Sequence, residues 1–122
     1  MDLSLTSDYV SCTGDPLPAL ACISRAGFSH VHWCHEWNTK HIYSREEIDS
    51  IGREFRGLGL KLLDLHAPHG TGMGWGSTDF AERKSSLALI SNRIHMTGAL
   101  GGVAVIVHIP AGPDREPLMT AW

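Results

Sequence analysis

"VAVIVHIP", residues 103–110, decides how the rest of the chain is read. The run is β-branched at most positions and does not alternate apolar with polar residues. That pattern suits a strand of a parallel sheet covered on both faces, since a strand with one wet face would alternate. Working back from it, three more short apolar runs have the length of strands: residues 3–6, 28–33 and 60–66. Their starts, with that of 103–109, are 25, 32 and 43 residues apart. That spacing leaves room for one helix between each pair, the rhythm of βαβ units.

Helix signals fill those gaps. Residues 16–26 open with Pro16 and Pro18 and stop at Gly27, the usual asymmetry of proline at the start and glycine past the end. Residues 45–58 follow Ser44, with Glu47 three positions later, a capping box. Ile48, Ile51, Phe55 and Leu58 then form one apolar stripe. The third helix is predicted over 79–100, with Leu87, Ile90 and Ile94 as its buried face and Gly101–Gly102 as its stop. The fold class is therefore α/β, a parallel βα repeat in one domain over residues 1–122. After residue 109 comes "PAGPDREPLMTAW", a loop and the start of a further element at 116–122, so four strands and three helices are expected to leave the sheet open.

Bulk properties narrow the function. The chain has 122 residues, 43% hydrophobic and 19% charged, and a net charge of −3, which is globular composition without a basic stripe for nucleic acid or an anionic membrane. The longest apolar run, 103–107, is too short to span a bilayer. "MDLSLTSDYV" has neither the basic nor the apolar region of a signal peptide. Cys12, Cys22 and Cys34 are odd in number and contain no CxxC pair, which argues against a disulfide framework or a zinc ribbon. A cytoplasmic setting is expected.

The eight histidines are the unusual feature. Ligands of parallel α/β sheets bind at the carboxyl ends of the strands. Strand two ends in His32, Cys34, His35 and Glu36; strand three in "DLHAPHG", with Asp64, His66 and His69; strand four in His108. Neighbouring strands lie about 4.8 Å apart, so His32, His66 and His108 converge if they share a face. By alternation His108 goes with Ile106 and Ala104, His66 with Asp64 and Leu62, and His32 with His30 and Cys34, whereas His35 takes the other face. Asp64 is placed to accept a ring N–H and fix a tautomer. The structural alternative for any one strand-end histidine is a hydrogen-bonded packing residue. His35 and Glu36 have solvation as the simpler reading, and His30, His41 and His95 are read as packing or surface residues. "HEWNTKH" (35–41) is not HExxH, because Thr39 stands where the second histidine is needed. "GTGMGWG" (70–76) fits no phosphate-binding pattern; Met73 and Trp75 offer an apolar lid able to stack on a sugar ring. Cys34 is read as a buried, inert thiol rather than an activated one.

Three stretches in order resemble the xylose isomerase-like TIM-barrel superfamily. "GFSHVHW" (27–33) resembles its second strand, with His32 where a Glu is usual; "LKLLDLHAPHG" (60–70) resembles the third; "VAVIVHIP" resembles the fourth. "CHEWNT" (34–39) looks most like sugar phosphate isomerase/epimerase-type members. The resemblance implies the N-terminal half, about four strands, of a (β/α)8 barrel, which needs about 250 residues when complete. It implies an isomerase or epimerase that uses a divalent metal (zinc, manganese, cobalt or magnesium) on a sugar, keto-sugar or polyol. Its acid/base residues and most metal ligands would lie in the other half, leaving this chain inactive by itself. His32, His35, Glu36, His66, His69, Trp75 and His108 would line the substrate pocket. In the endonuclease IV branch the positions of His66 and His108 bind metal, which makes a metal-dependent phosphoesterase an alternative; a non-catalytic half-barrel that binds a metal or small ligand is another. Self-association through the open sheet edges is expected; nucleic-acid and membrane partners are not.

Overall fold

The computed structural model describes residues 3–7 and 13–109. Cys12 and the element predicted at 116–122 lie outside the described residues. The order is β1 (Ser4–Thr6), α1 (Leu17–Arg25), β2 (His30–Trp33), α2 (Arg45–Gly57), β3 (Lys61–His66), α3 (Phe80–Ala99) and β4 (Ala104–Ile106). The strands form one parallel sheet in the order β1-β2-β3-β4. Parallel crossovers between consecutive neighbours follow one hand as a rule, which puts successive helices on the same face. Leu20 and Ile23 of α1, Ile48 and Phe55 of α2, and Met96 of α3 accordingly join Val31, Trp33, Leu62 and Leu65 in a single core.

The helix boundaries follow local chemistry. Pro16 caps α1, and Gly27, at φ +83°, takes the left-handed turn that a side chain resists. Both halves of the α2 capping box form: Ser44 Oγ accepts from Glu47 N at 3.2 Å, and Glu47 Oε2 accepts from Ser44 N at 2.7 Å. These bonds hold the Glu47 carboxyl below its usual range. In α2 the expected stripe packs inward, Ile48 and Phe55 fully and Ile51 and Leu58 partly.

Three expectations need correction. The buried face of α3 is Ser86, Leu89, Arg93, Met96 and Thr97, not Leu87, Ile90 and Ile94; Leu87 is 47% and Ile94 56% exposed. The helix carries apolar residues on two faces roughly a quarter-turn apart, and the face that packs is the one whose Asn92 and Arg93 reach the β2–α2 loop. Strand β4 is shorter than predicted and is not covered on both faces: pairing ends at Ile106, and Val103 is 79% exposed. Among the described residues nothing pairs with its outer edge. Finally, Leu62 does not share a face with His66. The β2–β3 register shifts between Val31 and His32, so that Val31 pairs with Leu62 and His32 with Asp64. That irregularity sends Leu62 and Leu65 into the core and leaves Asp64 and His66 on the other face, as an extra residue in a strand must.

Candidate functional site

The sheet face away from the helices carries the histidines. His32 ends β2, and its Nδ1 lies 2.7 Å from Oδ1 of Asp64. The partner of Asp64 is thus His32 on the next strand, not His66 two residues on. Hydrogen bonding to Cys34, and then to Asp64, raises the His32 pKa to about 9 against the opposing effect of burial. Cys34 is fully buried, accepting from Thr6 Oγ1 at 3.2 Å and donating its N–H to Ser7 Oγ at 2.9 Å. The thiol is buried as expected, but through His32 it belongs to the histidine cluster rather than standing apart from it.

His66 stands at the centre. Its ring meets His32 edge-on at 6.2 Å, Trp37 at 5.3 Å and His108 at 4.8 Å. Nδ1 lies 2.8 Å from the Ala67 carbonyl, which can only accept, so Nδ1 carries a proton. In the neutral ring Nε2 is then the unprotonated nitrogen, and it faces His108 Nε2 at 2.9 Å. Burial, helped by the neighbouring histidines, lowers the His66 pKa and favours that neutral form.

His108 lies two residues beyond the paired part of β4 and is exposed. The glycine-rich loop holds it there: Trp75 Nε1 donates to the His108 carbonyl at 2.8 Å, and His69 packs its ring 4.6 Å from that of His108. Met73, Trp75, Glu82, His69 and His108 line a cavity of about 240 Å³. Pockets for drug-sized ligands run to roughly 300–1,000 Å³, so this one suits a smaller molecule.

The structure therefore brings together His32, His66, His69, Trp75 and His108. It does not bring His35 or Glu36 to them. His35 points to the helix side, where Nδ1 meets Tyr43 Oη at 3.0 Å and Nε2 donates to the Gly14 carbonyl at 2.8 Å. Glu36 adopts a left-handed backbone (φ +60°) and accepts from Thr39 Oγ1 at 2.6 Å. Of the remaining histidines, His30 bonds Ser29, His41 bonds Glu47, and His95 is exposed. Trp37, Thr6 and Ser7 also shape the site. Trp37 adjoins the histidine-rich stretch in sequence, whereas the two hydroxyls become neighbours only through β1–β2 pairing.

Among the described residues no three His, Cys, Asp or Glu side chains are grouped to hold a metal ion. The donor set present is a pair: His66 and His108 can offer Nε2 atoms to one point, half of what a tetrahedral zinc site takes.

No protein-family model matches the chain. It is similar to "Uncharacterized protein y4fM" of Sinorhizobium fredii, 26% identical over 114 residues, covering 79% of this chain. The match spans 37% of that protein's length. No helix among the described residues is long and apolar enough to cross a membrane.

Proposed function

We propose that this sheet is one wall, strands one to four, of a (β/α)8 barrel of the xylose isomerase-like kind, and that its histidine face binds a sugar, keto-sugar or polyol for metal-assisted isomerisation or epimerisation. The observation that carries the reading is the 2.9 Å approach of His66 Nε2 to His108 Nε2 at the carboxyl ends of neighbouring parallel strands. A substrate hydroxyl or a divalent cation taken up between these two nitrogens would replace their mutual hydrogen bond. A bound cation would polarise the substrate carbonyl, easing loss of the adjacent proton.

The chain's own residues bind and orient. His32, held by Asp64, donates a hydrogen bond to a substrate oxygen; His66 accepts one through Nε2; Trp75 and Met73 give the small cavity its apolar side. The residues that move protons at carbon belong to the rest of the barrel in this reading, consistent with a relative about whose length this chain covers 37%.

The same nitrogen pair would serve a metal-dependent phosphoesterase of the endonuclease IV type. The net charge of −3 disfavours that reading, since phosphate backbones attract basic surfaces.

The test is NMR titration of the histidine ring signals with zinc, cobalt, manganese and magnesium, then with a panel of ketoses and polyols. Shifts confined to His32, His66, His69 and His108 support the proposal. No response to any metal or sugar at millimolar concentration sinks it, and incision of abasic duplex DNA would replace it with the phosphoesterase.

A further inference from the structure

Arg93 of α3 is fully buried, yet among the described residues it makes no ion pair. Burial lowers its pKa, but a guanidinium keeps its proton. Glu36 and Glu47 act on this charge only from a distance; a buried charge with no carboxylate in contact is costly, and an apolar side chain would fill the space without that cost. What Arg93 touches accounts for its presence. Its Nη1 donates to Asn92 Oδ1 at 2.6 Å, and its Nη2 donates to the carbonyls of His41 at 3.1 Å and Glu36 at 3.5 Å. Its Cζ lies 4.4 Å from the Tyr43 ring centre, a cation–π contact. Asn92 adds a bidentate link to the Tyr43 backbone, accepting from N at 3.0 Å and donating to O at 2.9 Å. Two adjacent residues of one helix thus grip both ends of the segment from Glu36 to Tyr43, including the left-handed Glu36.

Inside that segment sits Trp37. Its ring packs on His66, and its carbonyl accepts the His69 N–H at 2.9 Å. We propose that Arg93 and Asn92 are positioning residues of the histidine site, fixing the β2–α2 loop so that Trp37 holds His66 and His69 in place. The grip needs a planar fork: a lysine in place of Arg93 keeps the charge but cannot engage Asn92 and two carbonyls together. The proposal rests on the histidine face being the working surface, but its test does not require a known substrate.

The experiment compares Arg93→Lys, Asn92→Ala and a control, Leu89→Ala, a buried apolar residue of the same helix that makes none of the loop's side-chain hydrogen bonds. Two signals are read in each folded variant: the nuclear Overhauser contact between the Trp37 and His66 rings, and hydrogen-exchange protection of the His69 amide. The expected result is loss of the ring contact and an at least tenfold fall in His69 protection in both loop variants, with both signals kept in Leu89→Ala. Asn92→Ala, which removes no charge, carries the test if Arg93→Lys does not fold. Retention of both signals in the loop variants overturns the proposal, as does their loss in the control. The metal and sugar titration of the unmodified chain judges the functional reading separately.

Discussion

Nδ1 of His32 lies 2.7 Å from Oδ1 of Asp64, across the β2–β3 pairing, because the register shift after Val31 sets these two residues side by side. Both side chains are mostly shielded, at 20% and 22% exposure, so solvent screens the pair only in part. With the His32 pKa raised from 6.5 to about 9, the folded chain holds this proton more tightly than the unfolded chain. The stabilisation is fully present below the unfolded value near 6.5, and it is lost as pH rises through about 9. Denaturation at pH 6 and pH 9.5 should show a decrease of up to about 3 kcal/mol from this group. The larger part of the rise comes from Cys34, so Asp64→Asn should lower the His32 midpoint in an NMR titration only in part and weaken the pH dependence rather than abolish it; an unchanged midpoint would remove Asp64 as a contributor.

The opposed nitrogens of His66 and His108 make a prediction about metal binding. If the pair supplies two ligands, His66→Ala and His108→Ala should each weaken zinc or cobalt binding by at least about tenfold, and the double variant should cost little more than either single one, because one ligand alone holds a cation poorly. Isothermal titration on the three variants measures this. His35→Ala, removed from the cluster, should leave metal affinity unchanged. Equal affinity in His66→Ala would leave the pair as a simple imidazole–imidazole hydrogen bond.

The two sides of α3 separate in a stability test. Leu89 is buried, whereas Leu87 is 47% exposed. Leu89→Ala should destabilise the fold by about 2–4 kcal/mol through lost packing, and Leu87→Ala by no more than about 0.5 kcal/mol. Urea denaturation of both variants decides which face packs.

That face also marks how far sequence reaches here. The α/β class, the element order and the α2 cap were legible because each depends on neighbours within a few residues: "SREE" makes its own capping box and "VAVIV" its own strand. The choice between the two apolar sides of α3 was not local. It depends on Asn92 and Arg93 meeting backbone groups of Tyr43 and His41 about fifty residues away. The convergence of His32, His66 and His108 followed from strand ends in a parallel sheet. Their true partners did not, because one register shift exchanged the neighbours of Asp64, and no residue type in "KLLDLH" announces it.

Gly102 is a close-approach position that the sequence offered only as a helix stop. A Cβ there would stand 2.8 Å from Leu62 Cδ2 and 2.9 Å from Thr97 Cγ2. Both neighbours are buried, so neither can swing away without disturbing the core. Gly102→Ala should cost about 1–3 kcal/mol by overpacking, more than the fraction of a kcal/mol gained by stiffening the unfolded chain. A rise in thermal midpoint on this substitution would contradict the packing described for the α3–β4 turn.

Among the described residues the sheet ends in two open edges, β1 with Leu5 42% exposed and β4, which Val103, 79% exposed, immediately precedes. An unpaired parallel strand presents a row of free N–H and C=O groups beside apolar side chains, which is a template for another strand. In the barrel reading both edges continue into further strands; in the chain of 122 residues by itself they should drive self-association. Sedimentation velocity from 5 to 200 micromolar, concentrations chosen to span roughly the range in which edge pairing leads to aggregation, should show mass rising with concentration. Leu5→Lys with Val103→Lys places a charge on each edge without entering the core, and it should return the chain to a monomer while leaving its circular dichroism unchanged. If the double variant associates as the parent does, the contact lies elsewhere, and the exposed Phe80, Leu87 and Ile94 side of α3 becomes the surface to mutate next.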